Sequence, residues 1–355
     1  MDDRIHQIVT LNHVRASAPC RVDLGGTLDL CTFYLPLQPV APATFNMALD
    51  LRTIVSVDVH SDARVRISSR GFEPAAFIPQ EAPFDHPLGL FFAVAAHFNL
   101  QGLSIHIASA SPPRSALGGS SVAAVALIGA LSACRGLAGG QALSRDQIVR
   151  RAHIIEESAA GRPCGMQDHL AAVFGGINTW HWEILADGLG VRRQSLAGAA
   201  GDNRLAEHFL VAYGGRPHAS HDVNGVWIER FRAGRDRDRW RRIADCVRQF
   251  SAALEQGDWS TAAEAMNTET AIRREMTPDV LDPLGMALVE AAQAQGCGGR
   301  FSGAGGGGCI WAIGDREAID RLRPEWQAHV EGHPEAAVLE ARPTVEGLQV
   351  DITPR

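Results

Sequence analysis

The sequence predicts an α+β protein in two lobes, and three observations carry that expectation. Strand signals dominate the first half, long helical stretches fill about Val223 to Gln295, and strands return after a glycine run that ends at Gly308. Strict alternation of apolar residues marks strands, whereas a 3.6-residue apolar period marks helices.

Ala18 to Leu24 puts Arg21 on a strand, followed by a Gly25-Gly26 turn that presents Asp29. Thr53 to Val59 alternates with β-branched residues and Leu103 to Ile107 does the same; Leu88 to Phe98 between them reads as a buried helix. The loop Ser111 to Gly119 opens a small-residue helix from about Ser120 to Cys134. A second helix runs from about Ser144 to Ala160, where Ser144 and Gln147 form a capping-box pattern. Gly175-Gly176 leads into a strand near Ile177 to Trp182, and another strand lies near His208 to Tyr213. Cys309 to Ile313 reads as a strand, and two more close the chain near Val338 and Val350. Gly188 to Gly201, poor in periodic signal, is the expected boundary between lobes 1–190 and 191–355.

Composition excludes several chemistries. The chain has 355 residues, 46 % hydrophobic and 21 % charged, which describes a folded protein with ample core. A net charge of −7 argues against a general nucleic-acid binder. All 33 basic residues are arginine. A phosphate loop ending in Gly-Lys-Ser/Thr, the strand lysine of protein kinases and lysine Schiff-base chemistry are therefore excluded. The seven cysteines show no C-x-x-C spacing and are odd in number, which speaks against zinc and for a reducing, cytoplasmic setting. The start, Met1-Asp2-Asp3-Arg4, lacks a signal-peptide pattern, and Val122 to Leu131 falls short of the roughly 20 residues that a membrane span needs.

Four segments carry chemical potential. In Pro112 to Ser121, prolines stiffen the entry, Gly118-Gly119 let the backbone approach a ligand, and Ser120-Ser121 start a helix whose unpaired N–H groups suit phosphate. A serine N-cap after a Pro/Gly turn accounts for the same residues. Gly303-Ala-Gly-Gly-Gly-Gly308 formally satisfies G-x-G-x-x-G, but a strand follows it where a dinucleotide fingerprint needs a helix. Close approach to another segment or to an anion fits it better, and a structural glycine turn remains open. Glu156, late on its helix, and Asp168, after a turn, suit metal binding and general base chemistry, although each alone also reads as a surface or capping carboxylate. Arg21 on a strand calls for a carboxylate or phosphate partner, or else is a surface residue.

Two further signals are read as structural. Arg230 to Arg242 holds seven arginines with Asp236 and Asp238 interleaved, a solvated helix face. Trp180 and Trp182 alternate on a strand as packing residues, while His218 and His221 form a loose pair without a third metal ligand.

Taken in order, these segments resemble the three motifs of the GHMP kinases over nearly the whole chain from about Arg15. The family's second motif, P-x-x-x-G-L-G-S-S, is matched by Pro112 to Ser121 with Ala116 in place of the first glycine and an extra glycine before the serines. The third, G-A-G-G-G, is unchanged at Gly303 to Gly307. Ala18-Pro-Cys-Arg-Val-Asp-Leu24 and Pro163-Cys164 look like galactokinases. Gly25 to Asp29, Phe33-Tyr34 and Gly165-Met-Gln-Asp168 look more like the D-glycero-D-manno-heptose 7-phosphate kinases.

The resemblance implies a ribosomal-protein-S5-domain-2-like N-terminal lobe and a ferredoxin-like C-terminal lobe. It implies an ATP- and Mg²⁺-dependent transfer of phosphate to the anomeric hydroxyl of a sugar or sugar phosphate. A heptose 7-phosphate is favoured over galactose or fucose, and a non-catalytic ligand sensor of the same fold is the alternative of another class. By the same resemblance Asp168 is the general base and Arg21 the charge-neutralising residue. Pro113, Leu117, Gly118, Gly119, Ser120, Ser121, Gly303, Gly305 and Gly306 hold ATP, and Ser120 and Glu156 hold Mg²⁺. Gly26, Thr27, Asp29, Gln167 and Arg216 are assigned to the acceptor. No nucleic-acid or membrane partner is expected; a homodimer is compatible, although no apolar stripe marks an interface.

Overall fold

The computed structural model describes residues 3–185, 188–196, 204–216 and 223–355. After helix α1 (Asp3–Leu11), strand β1 (Asn12–Leu24) pairs antiparallel with β2 (Ala43–Val59). Their register shifts between Pro19 and Cys20, where a proline without an N–H is tolerated, and this re-aims the strand just before Arg21. Residues 18–24 are all buried, so Arg21 and Asp23, two apart on one face, enter the interior together. Between these strands lies the short helix α2 (Cys31–Tyr34).

The first sheet has eight strands. β2 is long enough to pair along its other edge with β5 (Leu103–Ser109) at its C-terminal half and with β6 (Ile177–Leu185) at its N-terminal half. β3 (Val65–Ser69) runs parallel to β5 and carries β4 (Ala75–Phe77), while β7 (Gly188–Ser195) forms a hairpin with β6. Helix α3 (Gly89–His97) precedes β5.

Helix α4 (Gly119–Leu137) is the central core helix, with residues Ser121 to Ser132 all buried. It alone among the described residues has the length and hydropathy of a membrane span, yet 72 % of that window is buried inside the protein. Its apolar face all round is that of a helix enclosed by other elements. It packs against β1, β2, α5 (Arg145–Ala160) and α6 (Gln167–Phe174). The expected capping box starts α5: Gln147 N donates to Ser144 Oγ at 3.3 Å and Ser144 N to Gln147 Oε1 at 2.9 Å.

The second sheet is antiparallel, in the order β11 (Ala337–Val338), β8 (Phe209–Tyr213), β10 (Cys309–Ile313), β9 (Gly298–Phe301). Its helices are α7 (Arg204–Glu207), α8 (Val223–Arg232), α9 (Arg237–Gln256), α10 (Trp259–Met276), α11 (Pro283–Ala294) and α12 (Arg316–Val330). Asp258 caps α10 and Asp282 caps α11, each accepting from a backbone N–H three residues on.

The two sheets do not divide the chain at residue 190. β7 straddles that point as a paired strand, so the expected boundary at Gly188–Gly201 begins inside a hairpin; residues 197–203 lie outside the described part. The last strand, β12 (Gln349–Pro354), returns to the first sheet and pairs with β1, Asn12 opposite Pro354. Helices α1, α2, α6, α7 and α12 have no counterpart among the elements expected from the sequence. The arginine run of residues 230–242 is laced by ion pairs: Arg230 and Arg239 reach Asp236, and Arg241 reaches Asp238. Trp180 and Trp182 are buried, their indole N–H groups donating to Asn46 and Thr44. His218 and His221 lie outside the described residues.

Candidate active site

The glycine segments converge on one cavity of 970 Å³ between the two sheets. Arg21 lines it. The Arg21 Nε and one terminal nitrogen both reach Asp168 Oδ1, each at 2.7 Å. The other terminal nitrogen donates to Ala116 O at 2.8 Å and to Ser302 Oγ at 3.2 Å. Asp168 sits in the first turn of α6, and Arg21 takes up only one of its oxygens. Its Oδ2 faces Gly118, where an added methyl would lie 3.2 Å away. Burial pushes the Asp168 carboxyl above its ordinary pKa, aided by the nearby Asp23 and Glu156 charges and opposed by Arg21 and His169.

The loop before α4 is held from three sides. Gly118 (φ +79°) starts the helix, and Val122 N to Gly118 O, 3.0 Å, is its first bond, so the N–H groups of Gly119, Ser120 and Ser121 precede the helical ladder. Gly119 has no neighbour within 4 Å of an added methyl, which leaves its backbone open to a ligand. Ala116 takes φ +61°, the left-handed region, where the family's glycine would sit without strain. Its carbonyl accepts from both Arg21 and Ser302, and Cys309 N donates to Ser115 O at 2.9 Å.

The third glycine segment therefore serves as a backbone clamp on the loop before α4. A methyl on Gly308 (φ +88°) would meet Ser115 O at 2.7 Å and Ala116 Cβ at 2.9 Å. Gly308→Ala is expected to destabilise the fold by about 1–3 kcal/mol through overpacking and to weaken nucleotide binding with it. Denaturant unfolding and nucleotide titration check this, and an unchanged pair of values would count against the clamp.

A second cluster surrounds Glu156, on α5. Ser120 Oγ donates to one of its oxygens at 2.5 Å and Ser121 Oγ to the other at 2.6 Å. His169 Nε2 lies 2.8 Å from Oε2, although neither ring nitrogen has a partner in hydrogen-bond geometry. Despite the burial that opposes it, these neighbours hold the Glu156 carboxyl at about 2. An ionised carboxylate and a hydroxyl at the head of a helix are the hard oxygen donors Mg²⁺ takes, so Ser120 and Glu156 fit that ion. Among the described residues no group of three His, Cys, Asp or Glu side chains converges as a metal site. Such an ion would thus depend on ligand phosphates for its remaining oxygens.

At the other end, the loop after β1 turns through Thr27 (φ +78°), a strained value for a β-branched residue. Its hydroxyl donates to Asn224 Oδ1 on α8 at 2.9 Å. Asp29 accepts from Gln167 N at 3.1 Å, and Gly165 passes so close that a methyl there would sit 1.7 Å from Asp29 Oδ2. Gln167 Oε1 is buried without a partner. Burial raises the Asp29 carboxyl to about 6, the nearby Asp168 and Asp23 charges adding to it. A folded-state pKa above the unfolded one favours the protonated fold, so this group erodes stability as pH rises from about 4 through 6. Asp29→Asn should therefore raise stability at pH 8, by up to about 3 kcal/mol, and leave it unchanged near pH 4. Melting curves across that range check it, and parallel curves for the two proteins would refute it.

The cavity gathers most of the expected site residues. Arg21, Gly26, Thr27, Asp29, Pro113, Gly118, Gly119, Ser120, Ser121, Glu156, Gln167, Asp168 and Gly303 all line it. Four others do not. Leu117 is buried, and its carbonyl accepts from Arg21 N at 3.1 Å. Gly305 and Gly306 turn away onto Val280, whose carbonyl takes the Gly306 N–H at 2.8 Å. Arg216 is exposed outside the cavity, while Arg232 on α8 lines it. Phe72, Leu90, Phe91 and Ile107 form an apolar wall, none of them anticipated. Nor were Asp23, Ser302 and His169, although Asp23 shares a strand face with Arg21 and His169 follows Asp168 directly.

Residues 87–176 match the GHMP kinases N terminal domain and residues 250–332 the GHMP kinases C terminal domain. The chain is 29 % identical over 269 residues to mevalonate kinase of Methanothermobacter thermautotrophicus, covering 75 % of this chain and 81 % of that one. Its fold is similar to that of Lactococcus lactis galactokinase complexed with galactose (TM-score 0.71, 16 % identity, 98 % of each chain). It is similar also to that of a D-glycero-D-manno-heptose 1-phosphate kinase from Bacteriodes thetaiotaomicron (TM-score 0.67, 18 % identity, 95 % of this chain and 98 % of that one). The chain thus carries the N-terminal and C-terminal domains of the GHMP kinases in order around one cavity, and the homologues that share them are ATP-dependent kinases.

Proposed function

We propose that this protein transfers the γ-phosphoryl group of ATP to the anomeric hydroxyl of a sugar or sugar phosphate, with D-glycero-D-manno-heptose 7-phosphate as the favoured acceptor. The observation that carries the transfer is the Arg21–Asp168 pair, which lines the same cavity as the α4 N-terminus and Asp29. Asp168 Oδ2 takes the acceptor's hydroxyl proton while Arg21 holds Oδ1 and faces the migrating charge. Backbone N–H groups of Gly119, Ser120 and Ser121 receive phosphate oxygens at the helix N-terminus, which replaces the lysine this chain lacks. Ser120 and Glu156 would hold Mg²⁺, which neutralises phosphate charge when bound. Asp29, Gln167 and Thr27 orient acceptor hydroxyls, and the buried, unpartnered Gln167 Oε1 awaits a donor of that kind. A base and a charge-neutralising arginine so paired disfavour a mere ligand sensor. Seven free cysteines and an ATP requirement suit the cytoplasm.

The heptose preference rests on the Gly25–Asp29 and Gly165–Asp168 segments, and Arg232 is the arginine on α8 that would meet an acceptor phosphate. The mevalonate kinase relative supports a second reading, with mevalonate as acceptor. ³¹P NMR with Mg-ATP and a panel of heptose 7-phosphate, galactose, fucose, mannose, glucose and mevalonate distinguishes these. An anomeric phosphate resonance with one sugar names the acceptor; phosphorylation of mevalonate alone overturns the sugar reading.

A further inference from the structure

Asp23 is fully buried, two residues from Arg21 on the same strand face, and bonded on every side. Its Oδ1 accepts from Gly303 N at 2.6 Å and lies 3.6 Å from the Arg21 terminal nitrogen that also binds Ala116 O. Ser302 Oγ sits 3.5 Å from the same oxygen. Its Oδ2 is 3.5 Å from Arg300, which also donates to the Asp23 carbonyl at 2.8 Å. On that side the acceptor loop packs so tightly that a methyl on Gly26 would meet Oδ2 at 2.5 Å. One carboxylate thus touches the strand arginine, the third glycine segment and the acceptor loop.

We propose that Asp23 is a positioning residue for phosphoryl transfer: it fixes the Arg21 guanidinium from the side opposite Asp168 and ties it to the Gly303 backbone. This rests on the kinase reading above. Asp168 holds the Nε edge of Arg21, while Ala116 O and Ser302 Oγ accept from the other terminal nitrogen. Asp23, 3.6 Å from that nitrogen and bonded to Gly303 N, adds the charge that draws it to this side and so helps keep the guanidinium in one orientation. Its charge also bears on the base. The groups facing Asp168 are Arg21 and Asp23 from β1, Asp29 from the following loop, Glu156 from α5 and His169 on its own helix. Burial is the main cause of the raised Asp168 pKa; the Asp23 charge adds to it, and Arg21 opposes.

Asp23→Asn keeps the shape and removes the charge. Its kcat should fall about 10–100-fold, as expected for a displaced catalytic group, with the KM for ATP within about 3-fold of wild type. The acid limb of its kcat–pH profile should move to lower pH, because Asp168 loses a like charge. A measurement without acceptor separates this proposal from the kinase reading: hydrogen exchange of the ¹⁵N-labelled Arg21 Nε–H should quicken in Asp23→Asn. A folded variant with wild-type exchange, kcat and acid limb overturns the role of Asp23, whatever the acceptor is. If Asp23→Asn does not fold, Asp23→Ser decides: the smaller side chain removes the carboxylate and should quicken Arg21 Nε–H exchange; unchanged exchange overturns the proposal.

Discussion

Asp168→Asn is expected to bind nucleotide like the wild type and to turn over about 10²–10⁴ times more slowly, the usual worth of a positioned base. An asparagine Oδ1 still accepts from both Arg21 nitrogens, so the pair keeps its 2.7 Å geometry while the proton acceptor is gone. Nucleotide titration and a phosphoryl-transfer assay measure the two quantities separately. Turnover within about tenfold of wild type would remove Asp168 from the role of base. In the wild type, turnover should fall as acid protonates Asp168. Burial raises that pKa, so the fall begins at a higher pH than an ordinary aspartate would give.

Glu269→Gln carries the largest expected cost in stability. Glu269, on α10, is fully buried and accepts from Arg273 Nε at 2.8 Å and from Arg300 Nε at 2.9 Å. Arg273 reaches on to the Gly26 carbonyl and stacks its guanidinium over Trp227 and Trp240, 4.6 and 4.5 Å from the ring centroids. Arg300 reaches Asp23. Neutralising the shared carboxylate leaves two buried cations facing each other, and breaking a buried pair in this way costs about 3–5 kcal/mol. Burial opposes ionisation of Glu269, yet the two arginines hold its pKa below the ordinary value. Its stabilisation is therefore complete above the unfolded pKa of about 4.3 and is lost as pH falls through the folded one. Denaturant unfolding at pH 7 checks the loss; a change under about 1 kcal/mol would show that surrounding packing compensates.

Much of the site was legible because its residues are conformationally special. Gly118, Gly303 and Gly308 take backbone angles that few other residues adopt, and the proline-glycine-serine loop announces a helix start within ten residues. The capping box of Ser144 and Gln147 is equally local. What stayed hidden depends on distant partners. Arg300 meets Asp23, and Ser302 meets Ala116, only once the second sheet docks on the first. Nothing local distinguishes these from solvated residues. Arg216 fails for the same reason in reverse: it stands beside the glycine clamp, where its carbonyl takes the Gly308 N–H at 3.1 Å, but its side chain is exposed. Helix α12 carries Pro324 in its interior, which reads as a breaker. The glycines of β7 read as a linker, although Gly190 pairs with Glu183 in a hairpin.

The return of β12 to β1 has a consequence for biosynthesis. Asn12 pairs with Pro354, so one edge of the first sheet stays open until the residues that separate these two strands have been translated. Such pairing of distant segments is slow to form, and an unpaired strand edge exposed meanwhile invites association with other nascent chains. On the ribosome, β1 therefore waits bare along that edge while the second sheet is made, and the strand that seals it emerges only after that sheet.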